Sequence, residues 1–402
     1  MTPAGGTPPV VVAQLVETLG VGGAETLAVR IANAVAAAGD RSHLIVCGGP
    51  GPLSGSVSPA VSVTHLEHAR ASLVNPFAFA WSLRRGVALL RGAVAEHGVQ
   101  VVQTHLPGAN FWGLLLQMRG VAPVVATVHN NEEFRYGDAD NRLLLGLRKA
   151  AYRRIVRSCP ATVAVSAHVR ESLASDLGLG PAAAARIRVV TNGVDIPAAP
   201  DPAVCARLRT ELGVPPGAPL LLAAGRLGEQ KNFGDLLKIA AALRTRSREF
   251  RLVIAGEGEQ RGELERTVAE LDLGERVRLA GLRPDLRQLM QAADLFLMTS
   301  LWEGLPLVLL EAMAAALPVV GYEVDGVREV VRAGETGLTV GVGSIDGFAA
   351  AVAGLLDDPA RRRSRGRAGR DAAARDYGFD RTVAALRLLY QEVARPAADP
   401  DS

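Results

Sequence analysis

Short apolar runs recur along the chain, separated by segments whose apolar positions repeat at helical spacing. In the first half they are Val10–Val16, His43–Cys47, Val99–Thr104, Val124–His129, Thr162–Ser166 and Ile187–Thr191. In the second they are Leu220–Gly225, Arg251–Ala255, Val277–Ala280, Asp294–Thr299 and Leu317–Gly321. Strands covered on both faces read as continuous apolar runs, and their alternation with helices makes them parallel. The pattern predicts an α/β protein of two doubly wound, Rossmann-like domains, 1–195 and 219–375. Between them, Ile196–Pro219 carries six prolines, so 196–218 reads as the linker. Residues 376–394 read as a helix with Val383, Leu386, Leu389 or Tyr390, and Val393 on one face, and 395–402 as a disordered tail.

At 402 residues, 49% hydrophobic and 21% charged, the chain has enough apolar material for two full cores. No run of eighteen apolar residues occurs, and Met1–Pro9 lacks the basic flank of a secretory signal, so a cytoplasmic protein is expected. Three scattered cysteines, Cys47, Cys159 and Cys205, give neither a disulfide framework nor metal-ligand spacing. A net charge of +3 is too small for a nucleic-acid partner. The charge is uneven: residues 1–195 hold 17 Lys+Arg against 12 Asp+Glu, which leaves 27 against 29 for the remainder. The arginines from Arg361 to Arg370 are interleaved with alanine and flanked by Asp357, Asp358 and Asp371, which suits a solvated helix face.

The chemistry concentrates at two corners of the second half. In Trp302-Glu303-Gly304-Leu305-Pro306, followed by Leu307 to Glu311, two acids stand eight positions apart across a Gly-Leu-Pro turn behind a strand. Proline fits the first helical position, so the helix is predicted to begin near Pro306, with Glu311 about 7 Å along its axis. Glu303, Glu311 and the backbone N–H groups of Gly304 and Leu305 then suit a polyhydroxylated ligand with an anionic group. Upstream, the strand Leu220–Gly225 opens into a loop flanked by Arg226 and Lys231, two cations at a strand end where a diphosphate fits.

Several weaker features join these. Gly20-Val21-Gly22-Gly23-Ala24-Glu25 is a Gly-rich turn after the first strand, but Glu25 replaces the third glycine of a dinucleotide fingerprint. Gly256-Glu257-Gly258 has the same defect, with Arg261 in the third place. Bare tight turns explain either run equally well. His129 and His105 end strands, where ligand-facing residues of an open parallel sheet belong, although either can simply pack. Ser166 reads as a helix cap, and His43, His65, His68, His97 and His168 as surface residues. Asp138-Ala139-Asp140 lies in a polar loop rather than at a strand end, so no metal site is assigned.

In this order, with Thr191-Asn192-Gly193-Val194-Asp195 and Ala255 to Gly258, these segments resemble the retaining GT-B-fold glycosyltransferases that use nucleotide sugars, the group 1 type with the E-x7-E motif. The resemblance spans about residues 10–393. It implies two domains facing a central cleft and a last helix that crosses back to the first domain. Arg226 and Lys231 would stabilise the leaving diphosphate, with Gly22 and Gly23 facing it from across the cleft. Glu303 would bind sugar hydroxyls, Glu311 the ribose, and the Gly304–Leu305 backbone the ring. The backbone around Leu282 and Arg283 would meet the nucleobase, and Gly256 and Gly258 would belong to the donor loop. His129 would contact the transferred sugar, and His105 would lie on the acceptor side.

The activity so implied is transfer from a UDP- or GDP-sugar to a glycan or lipid-linked acceptor in cell-surface polysaccharide or glycolipid synthesis, with no cofactor or metal. Retention allows a covalent intermediate on a carboxylate, although the resembled family reacts on one face, with the leaving phosphate taking the acceptor proton. Two other classes stay open, a nucleotide-sugar epimerase of the same fold and a non-catalytic sugar-nucleotide sensor. The helical pattern from Asn141 to Arg157 sets Leu143, Leu147, Ala150 and Ala151 beside Arg142, Lys149, Arg153 and Arg157. This predicts either a helix packed on its own sheet or a basic face for an anionic membrane.

Overall fold

Runs rich in Val, Ile, Leu and Ala form the strands because parallel strands are covered by helices on both faces and shed nearly all contact with water. The computed structural model describes residues 9–68, 76–130, 134, 142–246 and 249–394. The chain divides into two units. One comprises the residues up to Thr191 together with those from Thr382 onward, and the other is Asn192–Arg381.

The first unit holds seven strands: β1 Val11–Val16, β2 Arg41–Val46, β3 Ser62–His65, β4 Val101–His105, β5 Val124–Val128, β6 Ala161–Ala164 and β7 Ile187–Val189. They lie in the order β3-β2-β1-β4-β5-β6-β7, and every pairing is parallel. The second unit holds β8 Leu220–Ala224, β9 Arg251–Ala255, β10 Val277–Gly281, β11 Leu295–Met298, β12 Val319–Tyr322 and β13 Gly337–Val340. Their order is β10-β9-β8-β11-β12-β13, again all parallel. Strand order therefore reverses between β1 and β4 in one sheet and between β8 and β11 in the other. Crevices that bind ligands form outside the carboxyl ends of strands at such points.

The helix Phe379–Val393 starts in the second unit and belongs to the first from Thr382 on. Val383, Leu386, Leu389 and Tyr390 are its buried stripe. Thr382 Oγ1 donates to Thr191 O at 2.8 Å, and the Arg387 guanidinium meets the buried Asp40 carboxylate at 2.5 Å. Part of the proline-rich stretch is helical, Pro202–Glu211, capped by Asp201 and tied to the second unit by Arg209 Nη1 on Asp294 Oδ2 at 2.9 Å.

Ser166 caps the helix Ala167–Leu177, its side chain accepting from Val169 N at 3.1 Å, as expected. The arginine-rich segment forms the helix Pro359–Asp376, and several of its cations are committed within the unit. Arg362 bonds Asp294, Arg365 bonds Gly334 O, and Arg370 bonds Ala314 O and Pro197 O. Two expectations require correction. His43 is not a surface residue: it is 2% exposed, stacks on His97, and bonds Thr64 Oγ1 at 3.0 Å, and burial holds its pKa at about 4. In the helix Arg142–Ser158 the core face is Tyr152, Ile155 and Val156, whereas Leu143 and Leu147 are 73% and 56% exposed. Asp138, Asp140 and the tail from 395 lie outside the described residues.

Candidate active site

The second unit places Arg226, Lys231, Glu303, Gly304 and Leu305 on two loops at its switch point. After β8 the chain runs through Arg226 into a 3-10 turn, Glu229–Lys231, then Asn232, then the helix Phe233–Thr245. Asn232 adopts the left-handed conformation, φ 47°, which asparagine tolerates better than most residues, and its side chain bonds Asp235 at 2.9 Å. After β11 the loop runs from Thr299 to Pro306, and the helix Leu307–Ala314 follows. Pro306 is its N-cap rather than its first residue, so Glu311 stands just over one turn in.

The two loops are fastened together. Thr299 Oγ1 bonds the carbonyls of Lys231 and Asn232 at 3.0 and 3.1 Å, Leu301 N donates to Gln230 O at 2.8 Å, and Gln230 Nε2 donates to Trp302 O at 2.9 Å. Across this seam Lys231 Nζ meets Glu303 Oε1 at 2.5 Å, with the two side chains only 16% and 7% exposed. Two opposite charges have been taken out of water together, and each depends on the other. Gly326 backs the arrangement, since a Cβ there would lie 2.5 Å from Glu303 O. Gly304 and Leu305 are buried in the loop, and Glu311 is half-buried.

Arg226 behaves differently. Its side chain is 76% exposed and touches Glu259, itself 58% exposed, at 3.1 Å. Such a pair adds little stability and leaves the guanidinium available to a ligand. Gly256 and Gly258 have a packing reason to be glycine. At φ +150°, a Cβ on Gly256 would stand 1.8 Å from Gly225 O, and one on Gly258 2.3 Å from Leu227 O. The loops after β8 and β9 thus meet backbone to backbone, and Leu227 N donates to Glu257 O at 2.9 Å. Leu282 is 50% exposed after β10, while the Arg283 side chain is committed to Asp285 and Glu211 at 2.6–2.8 Å.

In the first unit Gly22 caps the helix Gly23–Ala37. The Glu25 carboxylate folds back over that end, 2.2 Å from where a Gly22 Cβ would stand, so the chain sets its own anion at this helix start. His105 ends β4, fully buried, and His129 follows β5. Their rings meet at His105 Nδ1···His129 Nε2, 3.0 Å. Burial holds the His129 pKa at about 4 and that of His105 well below its usual value, so both imidazoles are neutral near pH 7.

Lys231 and Glu303 are therefore brought into contact, as are His105 and His129, while Arg226 stands apart with Glu259. Sequence reasoning missed Gln230, Thr299 and Gly326, whose roles depend on contacts remote in sequence, and Asn232, whose side chain bonds Asp235 only three residues on. It also missed Gln14 and Gln103, of which Gln14 did leave a signal, because it interrupts an otherwise apolar buried strand, whereas Gln103 shares its strand with Thr104 and His105.

Two doubly wound, all-parallel units and a last helix that returns to the first are the architecture of the GT-B fold. The match to solved structures of that kind is extensive. HepE of Anabaena in complex with UDP-glucose gives a TM-score of 0.81 over 95% of this chain and 99% of that one, at 21% identity. HepE in complex with UDP and glucose gives 0.80, over 95% of this chain and 100% of that one, at 20% identity. Residues 206–372 match the model described as glycosyl transferases group 1, and residues 21–197 that of glycosyltransferase family 4. The 2-deoxystreptamine glucosyltransferase of Streptomyces kanamyceticus is 30% identical over 308 residues, 73% of this chain and 77% of that protein. The D-inositol 3-phosphate glycosyltransferase of Pseudarthrobacter chlorophenolicus is 33% identical over 302 residues, 72% and 70% of the two. The chain belongs to the group 1 glycosyltransferases.

Proposed function

We propose that this glycosyltransferase moves a sugar from a nucleoside-diphosphate sugar to a glycan or lipid-linked acceptor with retention of anomeric configuration. The observation that carries the reading is the buried Lys231–Glu303 pair at the switch point of the second sheet. As the bond to the anomeric carbon breaks, the electron pair leaves with the diphosphate. Lys231 and Arg226 meet that charge, Arg226 turning from its exposed partner at little cost. Glu303, ionised and acceptor-only, takes hydroxyls of the sugar, and Glu311 takes those of the ribose. The Gly304–Leu305 backbone orients the ring, and the leaving phosphate accepts the acceptor's proton. No metal is invoked, because two cations already serve the leaving group.

The likeness to HepE structures holding UDP and UDP-glucose favours a uridine donor. Thermal-shift screening of UDP-, GDP- and ADP-sugars tests this. A UDP-sugar raises the melting temperature most, and no response to any of the three series sinks the donor reading. With the donor fixed, Glu311→Ala raises its KM, whereas Glu303→Ala chiefly lowers kcat, and activity persists in EDTA. The opposite split between the two glutamates would show their roles exchanged.

We further propose an acceptor at an anionic membrane surface, reached through the helix Arg142–Ser158. No described helix is long and apolar enough to cross a membrane, but Leu143 and Leu147 stand exposed beside Arg142. Of the six cations on this helix, two of the four set beside the leucines are occupied: Lys149 lies over the Phe134 ring at 5.5 Å, and Arg153 Nε donates to Leu177 O at 2.8 Å. Insertion of the leucines therefore matters more than charge. Leu143→Ser/Leu147→Ser weakens sedimentation with anionic vesicles more than glutamine at Arg142, Lys149, Arg153 and Arg157 does. Equal sedimentation of all three proteins with anionic and neutral vesicles points instead to an acceptor free in solution.

A further inference from the structure

Gln14 and Gln103 are register partners on β1 and β4, and both are fully buried. A buried amide needs partners for its oxygen and its nitrogen. The Tyr390 hydroxyl, on the last helix, serves both: it donates to Gln103 Oε1 and accepts from Gln14 Nε2 at 3.3 Å. Gln103 Nε2 donates to Thr127 Oγ1 at 2.8 Å. With its nitrogen on Tyr390, Gln14 turns its oxygen to His105 Nε2 at 2.7 Å. An oxygen there requires a proton on His105 Nε2. A neutral imidazole carries only one proton, so His105 Nδ1 is a lone pair. The nitrogen facing it, His129 Nε2, is therefore the donor of that hydrogen bond. The opposite polarity needs every member, from Gln103 to His129, to reverse together.

We propose that Tyr390 holds His129 in its Nε2-protonated tautomer through Gln14 and His105, which makes these three the positioning residues of that histidine. His129 Nδ1 is then fixed as an acceptor, suited to a sugar hydroxyl. The coupling stands on the hydrogen bonds alone. Only its effect on turnover rests on the proposed contact between His129 and the transferred sugar.

The test is nitrogen NMR of imidazole-labelled full-length protein, with His129→Gln used to assign the His129 ring. In the wild type, His129 shows a protonated Nε2 and an unprotonated Nδ1. Tyr390→Phe keeps the ring in its pocket but removes the hydroxyl, freeing Gln14 to turn, and His129 becomes a mixture of tautomers. Gln14→Met cuts the same path one link nearer and gives the same mixture, so the test survives poor folding of either variant. In both, kcat for sugar transfer falls about tenfold, as when partners that orient a functional histidine are lost, while the donor KM stays put. A mixture without loss of turnover sustains the coupling and removes His129 from sugar transfer. A wild-type His129 protonated on Nδ1, or a nitrogen pattern unchanged in both variants, overturns the proposal.

Discussion

Lys231→Ala loses activity and stability together. Removing the ammonium takes a cation from the leaving diphosphate, and loss of one preorganised charge partner lowers kcat/KM by about a hundredfold to a thousandfold. The same change leaves the Glu303 carboxylate, 7% exposed, without its cation, and breaking a buried pair from one side costs about 3–5 kcal/mol. Replacing both partners by apolar side chains of similar size removes the stranded charge. Lys231→Met/Glu303→Leu therefore regains most of the stability in denaturant unfolding while transfer stays lost. If the double variant turns over normally, neither residue belongs to the chemistry. If the single variant unfolds like the wild type, the pair is not the buried contact described above.

Gly256→Ala collapses the second unit or destabilises it by more than about 4 kcal/mol, the range reserved for severe steric conflict. Its new methyl would stand 1.8 Å from the carbonyl oxygen of Gly225, at a φ of +150° that L residues rarely adopt. A neighbouring glycine supplies the control. Gly262, inside the helix Arg261–Glu270, has nothing within 4 Å of its Cβ position, and alanine there raises stability by about 0.5–1 kcal/mol through helix propensity. Denaturant unfolding and the yield of soluble protein distinguish the two. A Gly256→Ala protein as stable as the wild type would mean that the loops after β8 and β9 do not meet as closely as described.

How far these features could be read from sequence depended on whether the signal was local. Central strands such as β8 and β11 were plain because complete burial leaves no polar position. The edge strands β3 and β13 were missed: Ser62 and Val63 face solvent, and Gly-Leu-Thr-Val is too short and mixed to stand out. A capped helix hid among the prolines near Pro202 because proline also opens helices. Lys231 and Glu303 were each legible as candidates, but their contact spans 72 residues and no local pattern encodes it. The first leucines of the helix Arg142–Ser158 misled because helical spacing shows that residues share a face, not which face is covered.

The return of the last helix to the first unit has a consequence for the order in which the protein can be finished. Gln103 lies 287 residues before Tyr390, and the entire second unit is synthesised between them. As the chain emerges from the ribosome, β1 and β4 come out early, with two amides that have no phenol to meet. The second unit, drawn from one continuous stretch, has all its residues in hand while the first still lacks the side chain that closes its hydrogen bonds. The half that is made first is completed last, and a ribosome that stops short of Thr382 leaves it open.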